Sequence, residues 1–237
     1  MFLALYVSTI LHSRSRSYLP YAELQKQRTS SAYDRWSHVW DLARYTNSSI
    51  YRAALAGLDV RHQRVLDVGC GTGLMSAKLA ATGRQVLGVD LSTAMVEHAS
   101  RRSSARLEFL PGDAENLPLE SAGFDAVVNL ISFHHYPNPL KAIAEFRRVL
   151  RPGGRLILIA FDLDSYFIRI AQRINQWTRN LSGDSWQKHG EEVAAMVSRS
   201  GFASVELKPV CYWFKTFLIV ADTAPEPDHR KTQFEVR

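Results

Sequence analysis

Between residues 64 and 161, short apolar runs alternate with segments whose apolar residues recur every three or four positions. The runs "RVLDVG", "QVLGVD", "LEFLPGD", "FDAVVNLI" and "RLILIAF" are rich in β-branched and apolar residues, so each reads as a buried strand. "LMSAKLAATG" and "TAMVEHASRR" carry helical spacing, with Gly83 placed to end the first and Ser92 to cap the second. "NPLKAIAEFRRVL" lines up Leu140, Ile143, Phe146 and Val149/Leu150 on one helical stripe, which "RPGG" closes. Strand–helix alternation with apolar strands predicts a parallel sheet covered by helices on both faces.

Beyond the fifth run the pattern loosens. "DLDSYFIRIAQRINQWTRNLSGDSW" reads as an inserted helix and loop, and "EEVAAMVSRSGF" as a further helix. "ASVELKPVCYWFKTFLIVAD" reads as two strands joined in a hairpin. The predicted fold is α/β: a Rossmann-like, doubly wound, seven-stranded and mostly parallel sheet with one antiparallel strand, plus a helical cap. The predicted organisation is an extension over 1–20, a helical lid over 21–62, and a main domain over 63–222 with an insert at about 163–188. A loose polar tail over 223–237 completes it.

Composition sharpens this only in places. A hydrophobic fraction of 46% and a charged fraction of 22% fit one well-packed globular core of 237 residues. Cys70 and Cys211 lie far apart and belong to no metal-ligand cluster, which argues against structural zinc or a disulfide framework and fits a reducing cytoplasm. The net charge of +6 is concentrated early: residues 1–64 carry nine Lys/Arg against four acids. That is a solvated basic arm rather than a nucleic-acid footprint across the core. The opening "MFLALYVSTIL" lacks a basic leader and a small-residue cleavage site, and falls short of the roughly 20 apolar residues a bilayer span needs. It reads as a terminal element or extension; an interfacial anchor is the alternative.

The chemistry starts at "VLDVGCGTGLMS", Val65–Ser76. Three glycines in five residues, after a strand and before a helix, let backbone come close to a ligand. A dinucleotide fingerprint needs its third glycine where this chain has Leu74, and no Gly-Lys-Ser/Thr follows to make a phosphate loop. Asp90 ends the second strand, at the sheet edge where open α/β folds place ligand contacts, and a carboxylate there can accept both hydroxyls of a ribose.

"LDVGCGTG" resembles the first motif of the class I S-adenosylmethionine-dependent methyltransferases. "LGVDLSTAMVEHA" is similar to their second motif, "GDAENLPLESAGFDAVV" to the adenine loop and fourth strand, and "FRRVLRPGGRLIL" to the segment leading into the fifth strand in the methyltransferase-11 group, which includes ubiquinone- and menaquinone-type enzymes. The matches cover about residues 64–162 in order. The resemblance implies S-adenosylmethionine as cofactor. It places the turn residues Gly69, Cys70, Gly71 and Gly73 against it, with Asp67 helping to hold its amino-acid moiety. Asp90 would take the ribose, Asp113 the adenine amine and Ala114 the ring through its N–H. Leu91 and Met95 would pack on the nucleoside, and Asn129 ends the fourth strand beside it.

"NLISFHHYPNP" follows the fourth strand, where enzymes acting on exocyclic base amines or glutamine carry an Asn/Asp-Pro-Pro-aromatic element. This chain lacks it. His134 and His135 are the best-placed groups to accept a proton during transfer, although positioning alone can suffice. Tyr33, Trp36, Trp40 and Tyr166, in the two aromatic-rich caps, point to an apolar or aromatic small-molecule acceptor. The reading is methyl transfer to O, N or C of such a molecule. The alternatives are a lipid or quinone headgroup at a membrane surface, non-methyl chemistry on the same cofactor, and a non-catalytic cofactor sensor.

Overall fold

The computed structural model describes residues 21–36, 48–162, 188–211 and 215–226. The 1–20 extension with its apolar run, the body of the 163–188 insert and the tail from 227 lie outside the described residues, as do Trp40 and Tyr166 and the side chain of Trp36. Seven strands form one sheet: β1 (Arg64–Val68), β2 (Gln85–Asp90), β3 (Leu107–Pro111), β4 (Phe124–Leu130), β5 (Leu150–Phe161), β6 (Ser204–Cys211) and β7 (Thr216–Asp222). Their order is β3-β2-β1-β4-β5-β7-β6. Strands β1 to β5 pair in parallel, and β7 runs antiparallel to both β5 and β6, as the sequence predicts. Chain order reverses at β1, between β2 and β4, and that reversal opens a crevice at the carboxyl ends of the strands.

The helices are α1 (Tyr21–Trp36), α2 (Ser48–Ala56), α3 (Leu74–Ala80), α4 (Thr93–Ser100), α5 (Pro139–Val149) and α6 (Gly190–Arg199), with a 3-10 turn at Phe133–His135. Alternation along each strand sends side chains to two cores. Val65, Ala126, Val128 and Ile157 pack under α2 and α3 with Ile50, Ala54, Met75 and Leu79. Leu66, Val127, Leu156 and Leu158 pack under α5 and α6 with Ile143, Phe146, Val149, Val193 and Val197.

Three local readings change. Strand β5 starts at Leu150 rather than Arg155, because "RPGG" continues the strand through a register shift against β4, with Gly154 N held by Thr223 Oγ1 at 2.9 Å. Helix α3 stops at Ala80, short of Gly83, where Thr82 Oγ1 donates back to the Leu79 carbonyl. On α5 the buried stripe is Ala142, Ile143, Phe146 and Val149, while Leu140 in the first turn stays 50% exposed.

The predicted 21–62 lid also splits in two. Helix α2 lies on the sheet face as a core layer, and its Tyr51 packs there with the Lys78 ammonium 5.3 Å over its ring. Of the two helices described there, α1 is the one that reaches the functional end of the sheet, where it meets His135 and Asp113.

Candidate active site

The carboxyl ends of β1 to β4 and one face of α1 converge on the crevice. Leaving β1, the backbone turns through Gly69, Gly71 and Gly73 at φ 70°, 54° and 77°, the left-handed region that a Cβ disfavours. The reasons for glycine differ. A Cβ on Gly69 would fall 2.3 Å from Ser132 Oγ, and one on Gly73 would fall 2.6 Å from the Phe109 ring. A Cβ on Gly71 would meet nothing within 4 Å. Gly69 and Gly73 therefore serve packing, whereas Gly71 fronts open space of the kind a ligand fills.

Asp90 borders that space. Its Oδ2 accepts from Gly71 N at 2.8 Å and its Oδ1 from Ser92 N at 2.9 Å, so the carboxylate is fixed in orientation while each oxygen keeps a lone pair. Burial pushes its pKa up, against the pull of those N–H groups. Asp67 sits below, 1% exposed, with Oδ2 accepting from Ser76 Oγ at 2.6 Å. Burial, reinforced by the neighbouring Asp90 charge, pushes its pKa up to about 7. Cys70 is held as a neutral thiol, its pKa raised by burial first and then by Asp90 and Asp67, so it is no thiolate nucleophile.

On the next strand end, Asp113 Oδ1 accepts from Glu115 N at 2.9 Å, and its Oδ2 lies 2.7 Å from Lys26 Nζ. Ala114 beside it is buried, as is Met95, and Leu91 is 36% exposed. Lys26 is itself 8% exposed. Burial alone would lower its pKa, but Asp113 and Glu115 outweigh that and raise it.

The acceptor side begins at the end of β4. Asn129 is fully buried, and its Nδ2 lies 2.9 Å from the Val68 carbonyl, 2.8 Å from Ser132 Oγ and 2.7 Å from Tyr136 Oη. Three oxygens exceed its two N–H donors, and Oδ1 finds no partner, so the cluster is not fully satisfied within the protein. Ile131 follows at φ 56°, costly for a β-branched residue by about 1–2 kcal/mol. Burial raises the Tyr136 phenol pKa.

The two histidines differ. His134 sits between His135, whose ring is tilted against it with centroids 4.1 Å apart, and Phe161, which it meets edge-on; its buried Nδ1 lacks a partner. Burial, then the His135 neighbour, push its pKa well down, so it stays neutral. His135 Nε2 is 2.8 Å from Tyr33 Oη, and the rings meet edge-on. Burial, then the Asp90 charge, raise the Tyr33 phenol pKa and keep that hydroxyl protonated. One residue on, Asp34 Oδ1 accepts from Ser92 Oγ and, at 3.4 Å, from Ala94 N.

The crevice thus gathers Gly69, Cys70, Gly71, Asp90, Asp113, Ala114, Asn129, His134, His135 and Tyr33, with Asp67 underneath. Lys26, Asp34, Glu115, Ser132 and Tyr136 belong to it too, and the sequence did not single them out. Only Tyr136 carried a usable signal, a hydroxyl-bearing ring directly after two histidines at a strand end. Among the described residues no cluster of His, Cys, Asp and Glu is arranged to hold a metal ion.

A "Methyltransferase domain" family profile matches residues 66–158. A demethylmenaquinone methyltransferase of Clavibacter sepedonicus is 32% identical over 200 residues, 75% of this chain and 80% of that protein. A fatty-acid O-methyltransferase of Mycolicibacterium smegmatis is 43% identical over 117 residues, 48% of this chain but only 42% of that protein. Among solved structures, a SAM-dependent methyltransferase of Thermotoga maritima aligns with a TM-score of 0.67 at 21% identity, covering 81% of this chain and 99% of that one. At that identity the likeness is one of fold.

Proposed function

The chain belongs to the S-adenosylmethionine-dependent methyltransferases of the methyltransferase-domain family, and on that premise we propose that it methylates an apolar or aromatic small molecule at oxygen, nitrogen or carbon. The observation that carries the reading is the open space over Gly71, bordered by the oriented Asp90 carboxylate. A nucleoside fits there without phosphate-binding cations. Asp90 accepts from the ribose hydroxyls, Asp113 from the exocyclic amine of the base, and Asp67 supports the end that carries the amino acid.

When bound, the cofactor supplies an electrophilic methyl on a sulfonium. The protein's part is to hold the acceptor in line and to take its proton. Tyr33 donates to His135 Nε2; an acceptor hydroxyl donating to Tyr33 Oη passes its proton to that oxygen as the phenol proton moves to His135. His134 is the neutral ring that His135 rests against at a tilt. Tyr136, Ser132 and Asn129 supply polar contacts at the Gly69 end of the crevice.

Similar proteins are named for quinone and fatty-acid methylation, which supports an acceptor with an apolar body and one polar head. The same names favour a second reading, a headgroup methylated at a membrane surface. Among the described residues no helix is long and apolar enough to cross a membrane. The free thiols Cys70 and Cys211 support a cytoplasmic setting. The test is transfer of a labelled methyl from S-adenosylmethionine to pools of demethylated quinols, long-chain fatty acids and simple phenols, with and without vesicles. Label in one apolar pool, lost in Asp90→Ala, is the expected result. Label in none of the pools refutes the substrate class, and label only with vesicles selects the membrane reading.

A further inference from the structure

Helix α1 meets the crevice through Lys26, Tyr33 and Asp34, spaced so that one helical face carries them all. Each reaches a different element. Tyr33 meets the acceptor turn at His135, and Asp34 takes the Ser92 cap of α4. Lys26 Nζ bridges two carboxylates of the base loop, Asp113 at 2.7 Å and Glu115 at 2.9 Å. Glu115 is 3% exposed, and its other oxygen accepts from Asn138 N at 2.6 Å, just past the two histidines. Asn138 in turn caps α5 through Lys141 N at 3.1 Å.

We infer that Lys26 is a positioning residue for cofactor recognition, fastening α1 over the crevice and setting the Asp113 carboxylate toward the purine amine. This rests on the reading that Asp113 takes the base. The physical argument is the geometry of Asp113. Its Oδ1 is fixed by Glu115 N and its Oδ2 by Lys26, leaving one lone-pair direction on each oxygen for an amine donor. Without the ammonium, Asp113 and buried Glu115 face one another with no cation between them. Charge-assisted pairs of this kind are among the stronger ones a protein makes, and a buried carboxylate stripped of its cation is costly. The base loop and α1 would therefore separate together, and Glu115 would lose its fixed place under Asn138. Cofactor recognition, lid position and the acceptor turn share one ammonium.

The probes are S-adenosylhomocysteine and its inosine analogue, whose base carries a carbonyl in place of the amine. Calorimetry on the full chain is combined with amide hydrogen exchange over residues 21–36 and 113–117. In the natural protein S-adenosylhomocysteine binds more tightly than the inosine analogue and slows exchange in both segments. Lys26→Met should weaken S-adenosylhomocysteine by about ten- to a hundredfold, shrink the preference over the inosine analogue, and leave residues 21–36 exchanging fast in the complex. Lys26→Arg should recover most of the affinity. Unchanged exchange in β1 and β4 shows that the Met variant is folded; if it is not, the Arg variant and Glu115→Gln carry the test.

Affinity within about twofold of the natural protein, with α1 still protected in the complex, overturns the proposal. Asp113→Asn separates the two levels. If that variant keeps both affinity and base preference, the base reading itself fails. If it loses them while Lys26→Met does not, only the role of Lys26 falls.

Discussion

Asp67→Asn should make the ligand-free protein more stable at pH 8 and alter how its stability varies with pH. The Asp67 carboxyl is 1% exposed, and burial, against the hydrogen bonds from the Ser76 hydroxyl and backbone and with the Asp90 charge beside it, pushes its pKa from 3.8 up to about 7. The folded state therefore holds a proton over a range where the unfolded chain has released it. The sign follows: the contribution to stability is fully present below the unfolded value of 3.8, falls as the unfolded chain ionises while the folded carboxyl keeps its proton, and is gone once pH has risen past about 7. The full gap in proton affinity corresponds to roughly 4 kcal/mol at about 1.4 kcal/mol per tenfold. Between pH 5 and pH 8 the portion realised is about 2–3 kcal/mol.

His62 and His134 are shifted down by burial, which makes stability rise with pH up to their unfolded values, so the natural protein alone would blur the effect. The difference between natural and Asp67→Asn proteins removes those terms, since both carry the same histidines. The assay is urea denaturation of both proteins at pH 5, 6, 7 and 8, reading the midpoint and slope. The stability difference should grow in favour of Asn by about 2–3 kcal/mol from pH 5 to pH 8. Parallel curves, within about 0.5 kcal/mol across that range, would refute a burial-raised Asp67.

Gly71→Ala should cost only about 1–2 kcal/mol of backbone strain, because its Cβ meets open space, yet abolish cofactor binding by calorimetry. Gly69→Ala must displace Ser132 as well and should lower the melting temperature further than Gly71→Ala does. Phe146→Ala, fully buried in the core, should destabilise by about 3–5 kcal/mol in denaturant titration, and removes the ring that Tyr136 meets edge-on at 6.3 Å. Tyr33→Phe should keep cofactor affinity within about threefold while lowering the turnover of a hydroxyl acceptor by about 100-fold. Equal turnover would remove the Tyr33–His135 relay.

The parallel strands and the glycine turn were legible because their signals are local. Buried β-branched runs must be strands, and a carboxylate ending β2 must sit at the sheet's functional edge. Asp90 could be named for that reason. Helix α1 was not legible to the same depth. "YAELQKQRTSSAYDRW" is polar nearly throughout, and a lysine among Glu, Gln and Arg reads as solvated. Its burial needs Asp113, 87 residues away, which no local pattern announces. Ser132 and Asn129 were visible as residues, but their union with Tyr136 against Gly69 depends on how β1 and β4 lie side by side.

The linear sequence by itself determined the sheet and its antiparallel last strand through side-chain periodicity, and pointed to the cofactor through the resemblance that its glycine-rich motif and the segments after it carry. Tertiary structure alone decided which glycine fronts open space, that His135 rather than His134 meets the Tyr33 hydroxyl, and that α1 rather than α2 reaches the crevice. Those are questions of distance and burial between segments remote in sequence. Desolvation and hydrogen bonding, which set the state of Asp67, Lys26 and His134, exist only once the chain has closed around them.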